Sequence, residues 1–355
     1  MPTISLCMIV KNEEKHIARC LENVAELVEE IIIIDTGSTD RTVEIVSDYT
    51  TNVYSYPWKD DFADARNYSF SKASMDYCMW MDADDILEET EKDKFIQLKN
   101  SLSKDIDIVM MKYNTSFDEA GKPSFSYFRE RWIRNDAKYR WTGAVHEVIP
   151  PNGKVIYSDI GISHKKMEAG DPDRNLRIYQ KLIAEGKSLE PRHQYYYGRE
   201  LYYHKQYKEA ASVLEQFLPL AEGWIENKIE ACSICAKCYY QLGQEEAALN
   251  TLVRSMSYDL PRAELCCEIG KHFLERGNYQ NAIYWYETAL QATKNECSGG
   301  FVLPDCYDYI PFLQLCVCYD KLGDRQKAKE YNERAGVCKP YSQSYLYNKR
   351  YFDSL

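Results

Sequence analysis

The sequence lacks any long apolar run: Ile31–Ile34 spans four residues, and even Tyr77–Met81 spans only five. A membrane-spanning helix needs about 18–20 apolar residues, so the sequence predicts no membrane span. The first residues, MPTISLCMIVKNEE, contain an apolar segment without a basic region before it or a small-residue cleavage site after it. They therefore indicate a β-strand rather than a signal peptide.

The sequence also lacks the glycine-rich loops of two common nucleotide-binding folds. A dinucleotide-binding fold would show G-x-G-x-x-G after its first strand, and a P-loop would show G-x-x-x-x-G-K-[ST]. Neither pattern occurs, and the first glycine of the chain is Gly37. Both kinds of site are therefore excluded.

Zinc-binding patterns are absent too, although the chain has 13 cysteines. Cys232, Cys235 and Cys238 recur every three residues in an Ala-rich helical stretch, which is typical of small residues that pack along one helix face. A chain with many cysteines and no disulfide framework suits a reducing compartment. We therefore expect a cytoplasmic protein.

The chain is acidic, with a formal net charge of -11 and a pI near 5.2. This charge argues against nonspecific attraction to nucleic acid or to an anionic membrane. Its 355 residues are enough for about two domains, each with its own apolar core.

A buried strand that ends in carboxylates is the most informative feature of the first half. The apolar run Tyr77–Met81 leads directly into Asp82, Asp84 and Asp85. Asp82 and Asp84 are two residues apart, so in an extended segment they face the same side, about 6–7 Å apart. This spacing suits a hard divalent cation shared with a phosphorylated ligand. The alternative is a solvated turn in which Asp85 caps the next helix.

Strands and helices alternate four times between residues 3 and 81, which predicts a mostly parallel, doubly wound α/β sheet with both faces covered. Three polar loops follow predicted strands, at 11–14, 35–40 and 82–85. Because parallel strands end at the same edge of a sheet, we expect these loops to meet there as one ligand site.

Five motifs in this half resemble those of a family 2 glycosyltransferase with the GT-A fold. In chain order they are IVKNEE (9–14), IIIIDTGSTDRT (31–42), PWKDDFADARN (57–67), MDADD (81–85) and WTGAVHE (141–147). The resemblance covers about residues 1–170. It is strongest toward bacterial members that carry tetratricopeptide repeats, including the peptide S-glycosyltransferases that modify glycocins. It implies a hexosyltransferase that uses a nucleotide-sugar donor.

The resemblance also implies roles for particular residues. Glu13 and Asp35 would contact the nucleotide, Asp82 the sugar nucleotide, and Arg66 the diphosphate or the donor sugar. The resemblance implies that Asp84 binds the metal ion, as an acid of a DXD motif. The expected ion is Mn²⁺ or Mg²⁺, and the expected donor is a UDP-sugar.

Two further candidates for this site lie later in the chain. Similar transferases often use a late histidine as a third metal ligand, which here is His164. The strand-like segment Phe125–Arg134 carries three arginines, of which Arg134 is our donor-binding candidate. The guanidinium fork suits the charge of a diphosphate, and the alternative is a solvated strand face.

A general base must take the proton of the acceptor, and either a carboxylate or an imidazole can do so. Glu147 is the candidate base and His146 is the alternative, since both follow a strand-like run in the first half. The chain lacks the Glu-Asp pair that many family members use for this step.

The second half has tetratricopeptide-like spacing. One copy is marked by small and aromatic residues at Gly270, Phe273, Gly277, Tyr279, Ala282, Tyr286 and Ala289. Shifts of 34 residues back and 46 forward give two further copies, and a weaker one begins near Pro191. The sequence therefore predicts about four helical hairpins, with an inserted loop at 297–308. We expect a GT-A domain at residues 1–175 and an all-α repeat domain at residues 176–355.

Together these features predict a metal-dependent, inverting glycosyltransferase that modifies a protein or peptide side chain. Stacked hairpins offer an extended surface for a peptide or for a second copy, so a homodimer through the repeats is also expected. One alternative is a transferase for cell-surface or cell-wall glycans. Another is a non-catalytic repeat scaffold with an inactive transferase domain.

Overall fold

A computed structural model describes residues 1–118, 121–165 and 170–354. The chain divides into two compact units, Met1–Gly186 and Lys187–Leu355. The helix at Arg174–Ala184 thus falls in the first unit, whereas the sequence analysis drew the boundary at 175/176. Within the described ranges, no helix has both the length and the apolar character needed to cross a membrane.

The first unit is an α/β domain built on one sheet. Its strands are β1 Ile4–Val10, β2 Glu30–Asp35, β3 Val53–Ser55, β4 Tyr77–Trp80, β5 Asp85–Leu87, β6 Ile108–Phe117, β7 Pro123–Arg134 and β8 Val155–His164. Its α-helices are α1 Ile17–Val24, α2 Thr42–Ser47, α3 Phe62–Phe70, α4 Glu89–Ser101 and α5 Arg174–Ala184.

The sheet has the order β3-β2-β1-β4-β7-β6-β8-β5. The four strands β3, β2, β1 and β4 are parallel, as the alternation of strands and helices predicts. β7 and β5 run against the other six, so the sheet is mixed. The α/β fold class expected for this half is confirmed, in the form of a mixed sheet.

Apolar side chains on both faces explain the uninterrupted apolar runs of the central strands. Leu6 and Met79 belong to a large core on one side, together with Leu21 of α1 and Phe95 of α4. Cys7 packs on the other side, in a separate cluster with residues of β2 and β4. The polar loops at the strand ends are therefore held on a rigid support.

The strand β5 was not predicted, because it is short and directly follows the acidic motif. It pairs antiparallel with β8, and Asp85 lies opposite His164. Asp85 is fully buried, and the next helix begins at Glu89 with Glu88 at its N-cap. The alternative of a solvated turn with Asp85 as a helix cap is therefore wrong.

The second unit is helical and consists of four hairpins followed by one more helix, as far as the described residues go. The helices are α6 Pro191–Tyr203, α7 Tyr207–Phe217, α8 Ile225–Gln241, α9 Glu245–Arg254, α10 Ala263–Glu275, α11 Tyr279–Gln291, α12 Tyr309–Lys321, α13 Arg325–Cys338 and α14 Gln343–Asp353. The all-α class expected for this half is confirmed.

Small residues in the first helix of a hairpin allow the second helix to approach closely. A β-carbon at Gly198 would lie 2.7 Å from Leu214, and one at Gly270 would lie 2.9 Å from Tyr286. Both partners are 16 residues further along the chain, so the same contact recurs in two hairpins. The glycine and aromatic marks of the repeat are thus packing positions.

The cysteines of α8 are buried, as the sequence pattern predicts. Burial raises the pKa of Cys232 to about 12 and that of Cys238 to about 11. These thiols are therefore protonated at neutral pH and pack as small apolar side chains.

The inserted loop lies against the first helices of the hairpins. It forms two 3₁₀ turns, Glu296–Ser298 and Pro304–Tyr307. The Leu303 N–H donates to Glu264 of α10 at 2.7 Å, and the Phe301 ring lies 5.5 Å from the guanidinium of Arg199 of α6. The insertion therefore contacts the repeat unit at Phe301 and Leu303.

Candidate active site

The loops after β1 and β2 are joined into one rim by hydrogen bonds. The Asn12 N–H donates to Ser38 Oγ at 3.0 Å, and the Thr39 N–H donates to Asn12 Oδ1 at 2.8 Å. Asn12 has φ 56°, a left-handed conformation that asparagine tolerates better than most residues. The predicted meeting of these loops at one sheet edge is thus observed.

Asp35, at the end of β2, is buried and holds the turn that follows it. Its carboxylate accepts hydrogen bonds from the N–H groups of Gly37 at 3.2 Å and Ser38 at 3.0 Å. Gly37 has φ 103°, so the turn requires glycine. The carboxylate is therefore fixed at the rim before any ligand arrives.

Arg66 of α3 is a buried cation that connects two carboxylates. Its Nε donates to Glu147 Oε1 and its Nη2 donates to Asp82 Oδ1, each at 2.7 Å. The guanidinium carbon lies 4.7 Å from the ring centre of Trp80 and 5.1 Å from that of Trp141. Its Nη1 is buried without a hydrogen-bond partner in the described structure. One strong donor is thus left for an anionic ligand.

Asp82 follows β4 and is charged at neutral pH. Burial raises the pKa of its carboxyl, but the charge and hydrogen bond of Arg66 outweigh burial and bring the pKa below its usual value. Its side chain keeps about a third of its surface exposed, at 34%. Asp82 is therefore an accessible anion that Arg66 orients.

Asp84, Asp85 and His164 form a cluster whose ligand atoms lie within 4.8 Å of one another. His164 Nδ1 lies 3.3 Å from Asp84 Oδ1 and 3.2 Å from Asp85 Oδ1. Burial lowers the pKa of His164, but hydrogen bonds to the two carboxylates outweigh it and raise the pKa to about 10. Carboxylate oxygens with one imidazole are a donor set that fits Mn²⁺ or a similar divalent ion.

Glu13 faces the same cluster from the loop after β1. Burial, followed by the negative charges of Asp84, Asp82 and Asp40, raises its pKa to about 7. Carboxylates that repel one another in this way are stabilised by a bound cation. This concentration of negative charge fits a divalent ion at this rim.

Asp85 and its partner Arg131 are the functional candidates that sequence reasoning missed. Both side chains are fully buried, and Arg131 Nη1 donates to Asp85 Oδ2 at 3.1 Å. Asp85 Oδ1 also accepts the hydroxyl of Tyr113 at 2.8 Å. The available signal was the third acid of MDADD, which the sequence analysis placed in the ligand loop at 82–85, or alternatively at the cap of the next helix, but gave no role at the site.

Arg134 does not join this site, which corrects the sequence-based expectation. It lies opposite Tyr77, at the start of β4, whereas the acidic residues follow the end of that strand. Its Nε donates to Asp107 at 3.1 Å. Arg129 and Arg131, also of β7, both lie nearer the site than Arg134: Arg131 contacts Asp85, and Arg129 Nη2 donates to the carbonyl oxygen of Glu147 at 3.3 Å.

Glu147 and His146 lie in a tight loop closed by a bridge between Thr142 and Val148. Glu147 contacts Arg66, which in turn contacts Asp82. His146 has φ 51° and stacks on Tyr179 of α5, with 6.4 Å between ring centres. Of the two candidate bases, Glu147 is therefore the one that contacts the Arg66–Asp82 pair.

Residues 5–153 match the family described as Glycosyl transferase family 2. The first unit is a family 2 glycosyltransferase domain. It is joined here to tetratricopeptide-type hairpins, so the predicted combination is confirmed.

Two curated relatives match much of the length of this chain. A TPR repeat-containing protein of Synechococcus elongatus is 28% identical over 300 residues, which are 82% of this chain and 66% of the relative. The SPbeta prophage-derived glycosyltransferase SunS of Bacillus subtilis is 30% identical over 232 residues, which are 61% of this chain and 53% of SunS. The chain thus spans between about half and two thirds of these relatives.

Two solved structures show a low level of similarity to this chain. MamA is 20% identical over 47% of this chain and 82% of that protein, with a TM-score of 0.38. A glucosyl-3-phosphoglycerate synthase from Mycobacterium tuberculosis, in complex with Mn²⁺ and UDP-glucose, is 16% identical over 53% of this chain and 81% of that protein, with a TM-score of 0.37. Neither similarity assigns a role to a residue here.

Proposed function

We propose that this chain is a metal-dependent, inverting glycosyltransferase that moves a sugar from a UDP-sugar to a protein or peptide side chain. The observation that carries this proposal is the buried Arg66, whose Nη1 has no partner in the described structure, beside Asp82 and the Asp84–His164 pair. A cationic fork next to a cation-binding cluster suits a sugar diphosphate.

Each part of the rim has a role in this proposal. Asp35 and Glu13 accept hydrogen bonds from the nucleotide, while Arg66 and Asp82 hold the diphosphate and the donor sugar. Asp84 and His164 hold Mn²⁺ or Mg²⁺, which, when bound, neutralises the charge of the departing diphosphate.

The reaction is a single displacement at the anomeric carbon. The acceptor oxygen or sulfur forms its bond to that carbon while the bond to the diphosphate oxygen breaks, and the diphosphate leaves with the electron pair. Glu147 takes the proton of the acceptor, a role supported by its contact with Arg66, which holds the diphosphate in this proposal. Attack opposite the leaving group inverts the anomeric configuration.

The acceptor is proposed to be a polypeptide because the transferase domain is fused to repeat hairpins, which bind extended segments on their surface. SunS, a named glycosyltransferase, supports transferase activity at the level of the family. All 13 cysteines are free, which suits a reducing compartment, and we assign the reaction to the cytoplasm. We also propose that two copies of the chain form a homodimer through the repeats. Sedimentation analysis would measure this oligomeric state.

A relative favours one alternative. The lipopolysaccharide core biosynthesis glycosyltransferase LpsC of Rhizobium meliloti is 26% identical over 160 residues, 43% of this chain and 58% of that protein. A glycan acceptor is therefore the second candidate, and it should be tested beside the peptide acceptors.

The test is a two-stage assay of the full chain with a panel of nucleotide sugars and Mn²⁺. The first stage measures donor hydrolysis without an acceptor. The second offers peptides with Ser, Thr or Cys, and separately a lipopolysaccharide core acceptor, and detects products by mass. We expect UDP-sugar hydrolysis and transfer to peptide.

Asp84→Asn should lower both activities about 100-fold, because the carboxylate holds the ion. The matched control is Asp159→Asn, since the side chain of Asp159 is 75% exposed and lies 3.5 Å from Lys94 rather than at the rim. No turnover of any donor would favour the scaffold alternative. Transfer only to the glycan would replace the peptide acceptor.

A further inference from the structure

Asp85 makes four contacts, although it is fully buried. Its Oδ2 accepts from Arg131 Nη1 and from the Asp82 N–H, each at 3.1 Å. Its Oδ1 accepts from the Tyr113 hydroxyl at 2.8 Å and lies 3.2 Å from His164 Nδ1. A carboxylate has about four acceptor positions, so those of Asp85 are filled by protein groups.

Arg131 offsets the buried charge of Asp85. Its guanidinium lies 3.8 Å from the ring centre of Trp80 and 4.4 Å from that of Tyr113. Its Nη1 also donates to the carbonyl oxygen of Trp80 at 3.0 Å. Because the cation and both aromatic rings are buried, the Asp85 carboxylate is held in one position.

The contacts of His164 determine which of its ring nitrogens remains available. Nδ1 faces Tyr113 Oη at 2.9 Å as well as the two carboxylates, so Nδ1 carries a hydrogen. Histidines that bind metals commonly donate their second N–H to a carboxylate in this way, which fixes the ring. Nε2 is then the ligand atom.

We propose that Asp85 is a positioning residue for the proposed metal site rather than a ligand. It fixes the His164 ring through Nδ1 and holds the backbone at Asp82, so that Asp84 and His164 stay in place for a divalent ion. This inference rests on the proposed metal-dependent function and adds the Asp85–Arg131–Tyr113 group to it.

The test measures Mn²⁺ binding to the full-length protein by electron paramagnetic resonance, without donor or acceptor. Asp85→Asn should weaken Mn²⁺ binding about 10- to 100-fold, the range found for groups that orient metal ligands. Tyr113→Phe removes one hydroxyl contact and should weaken binding about 10-fold. It is the deciding variant if Asp85→Asn, which leaves Arg131 without its counter-ion, does not fold.

Leu87→Ala is the matched control, because Leu87 is fully buried in the same short strand and its apolar side chain cannot hydrogen-bond to these polar groups. It should lower stability and leave Mn²⁺ affinity unchanged. Equal weakening by Leu87→Ala, or wild-type affinity in folded Asp85→Asn or Tyr113→Phe, would overturn the proposal.

Hydrogen exchange of the Asp82 amide is a second readout that needs no metal. Asp85→Ala removes both side-chain oxygens, so loss of this acceptor should speed exchange of the Asp82 amide about 10-fold or more, and Leu87→Ala should not do so selectively. If the wild-type protein binds no Mn²⁺, the proposed metal dependence fails. Unchanged Asp82 exchange in a folded Asp85→Ala protein contradicts the positioning role itself.

Discussion

Arg66 Nε lies 2.7 Å from Glu147 Oε1, and the same guanidinium lies 2.7 Å from Asp82. Glu147 and Asp82, which are far apart in the sequence, thus share one buried cation. This arrangement couples the acidic residues after β4 to the loop that carries Glu147. Any change at Arg66 should therefore affect both donor binding and catalysis.

Arg66→Lys should lower kcat/KM for the UDP-sugar about 100-fold. A lysine offers one point charge, so it cannot contact both carboxylates in the fork geometry and still present a donor to the diphosphate. The measurement is steady-state transfer with varied donor. Arg41→Lys is the matched control, because the Arg41–Glu44 pair is exposed and should contribute little. Wild-type kcat/KM in the Arg66→Lys variant would remove Arg66 from the donor site.

Glu147→Gln should lower kcat for transfer about 10²- to 10⁴-fold, the contribution of a positioned general base. Donor affinity, measured by calorimetry, should change much less, since the amide can still accept a hydrogen bond from Arg66. His146→Asn is the comparison and should keep most of the transfer rate. If the two variants behaved the other way round, His146 would be the base.

Residues at the ends of long apolar strands were predictable from sequence. Asp35 and Asp82 each end a run that only a buried strand explains, and parallel strands bring such residues to one edge. Asp85 was not predictable in this way, because three residues of β5 are too few to show a period. Its pairing with β8 depends on a residue 79 positions away.

The arginines of β7 show a second limit of sequence reasoning. From composition alone, any of Arg129, Arg131 and Arg134 could be the donor-binding arginine. Only the register of β7 against β4 decides which of them lies near the acidic residues. Arg134 pairs with Tyr77 at the far end of β4. Antiparallel register depends on side-chain packing across strands, which the local pattern does not specify.

Gly270→Val should destabilise the repeat unit by about 1–3 kcal/mol, the usual cost of overpacking. A β-carbon there would lie 2.9 Å from Tyr286, so the two helices would have to move apart. Valine has a higher helix propensity than glycine, so helix propensity alone predicts that the substitution stabilises the repeat unit. Lys271→Val is the control, because its side chain is 68% exposed in the same helix. Equal urea midpoints for Gly270→Val and Lys271→Val would contradict the packing role of Gly270.

The folded protein without metal should lose stability as the pH rises from about 6.5 to 10 because of His164. Its pKa is raised from 6.5 to about 10 by Asp84 and Asp85 against the effect of burial. A raised pKa contributes stability fully below the unfolded value, and the contribution is lost as pH rises through the folded value. We expect the difference in unfolding free energy between wild type and His164→Gln to shrink over this range, in urea titrations with chelator present.

His272→Gln is the control with the opposite sign. Burial, together with the charge of Arg276, lowers the pKa of His272, so its neutral form is favoured in the folded state. The wild-type protein should then lose stability relative to His272→Gln only as pH falls below about 6.5, where the unfolded histidine takes up a proton. A pH-independent difference for His164→Gln would show that its ring does not hold the extra proton between Asp84 and Asp85.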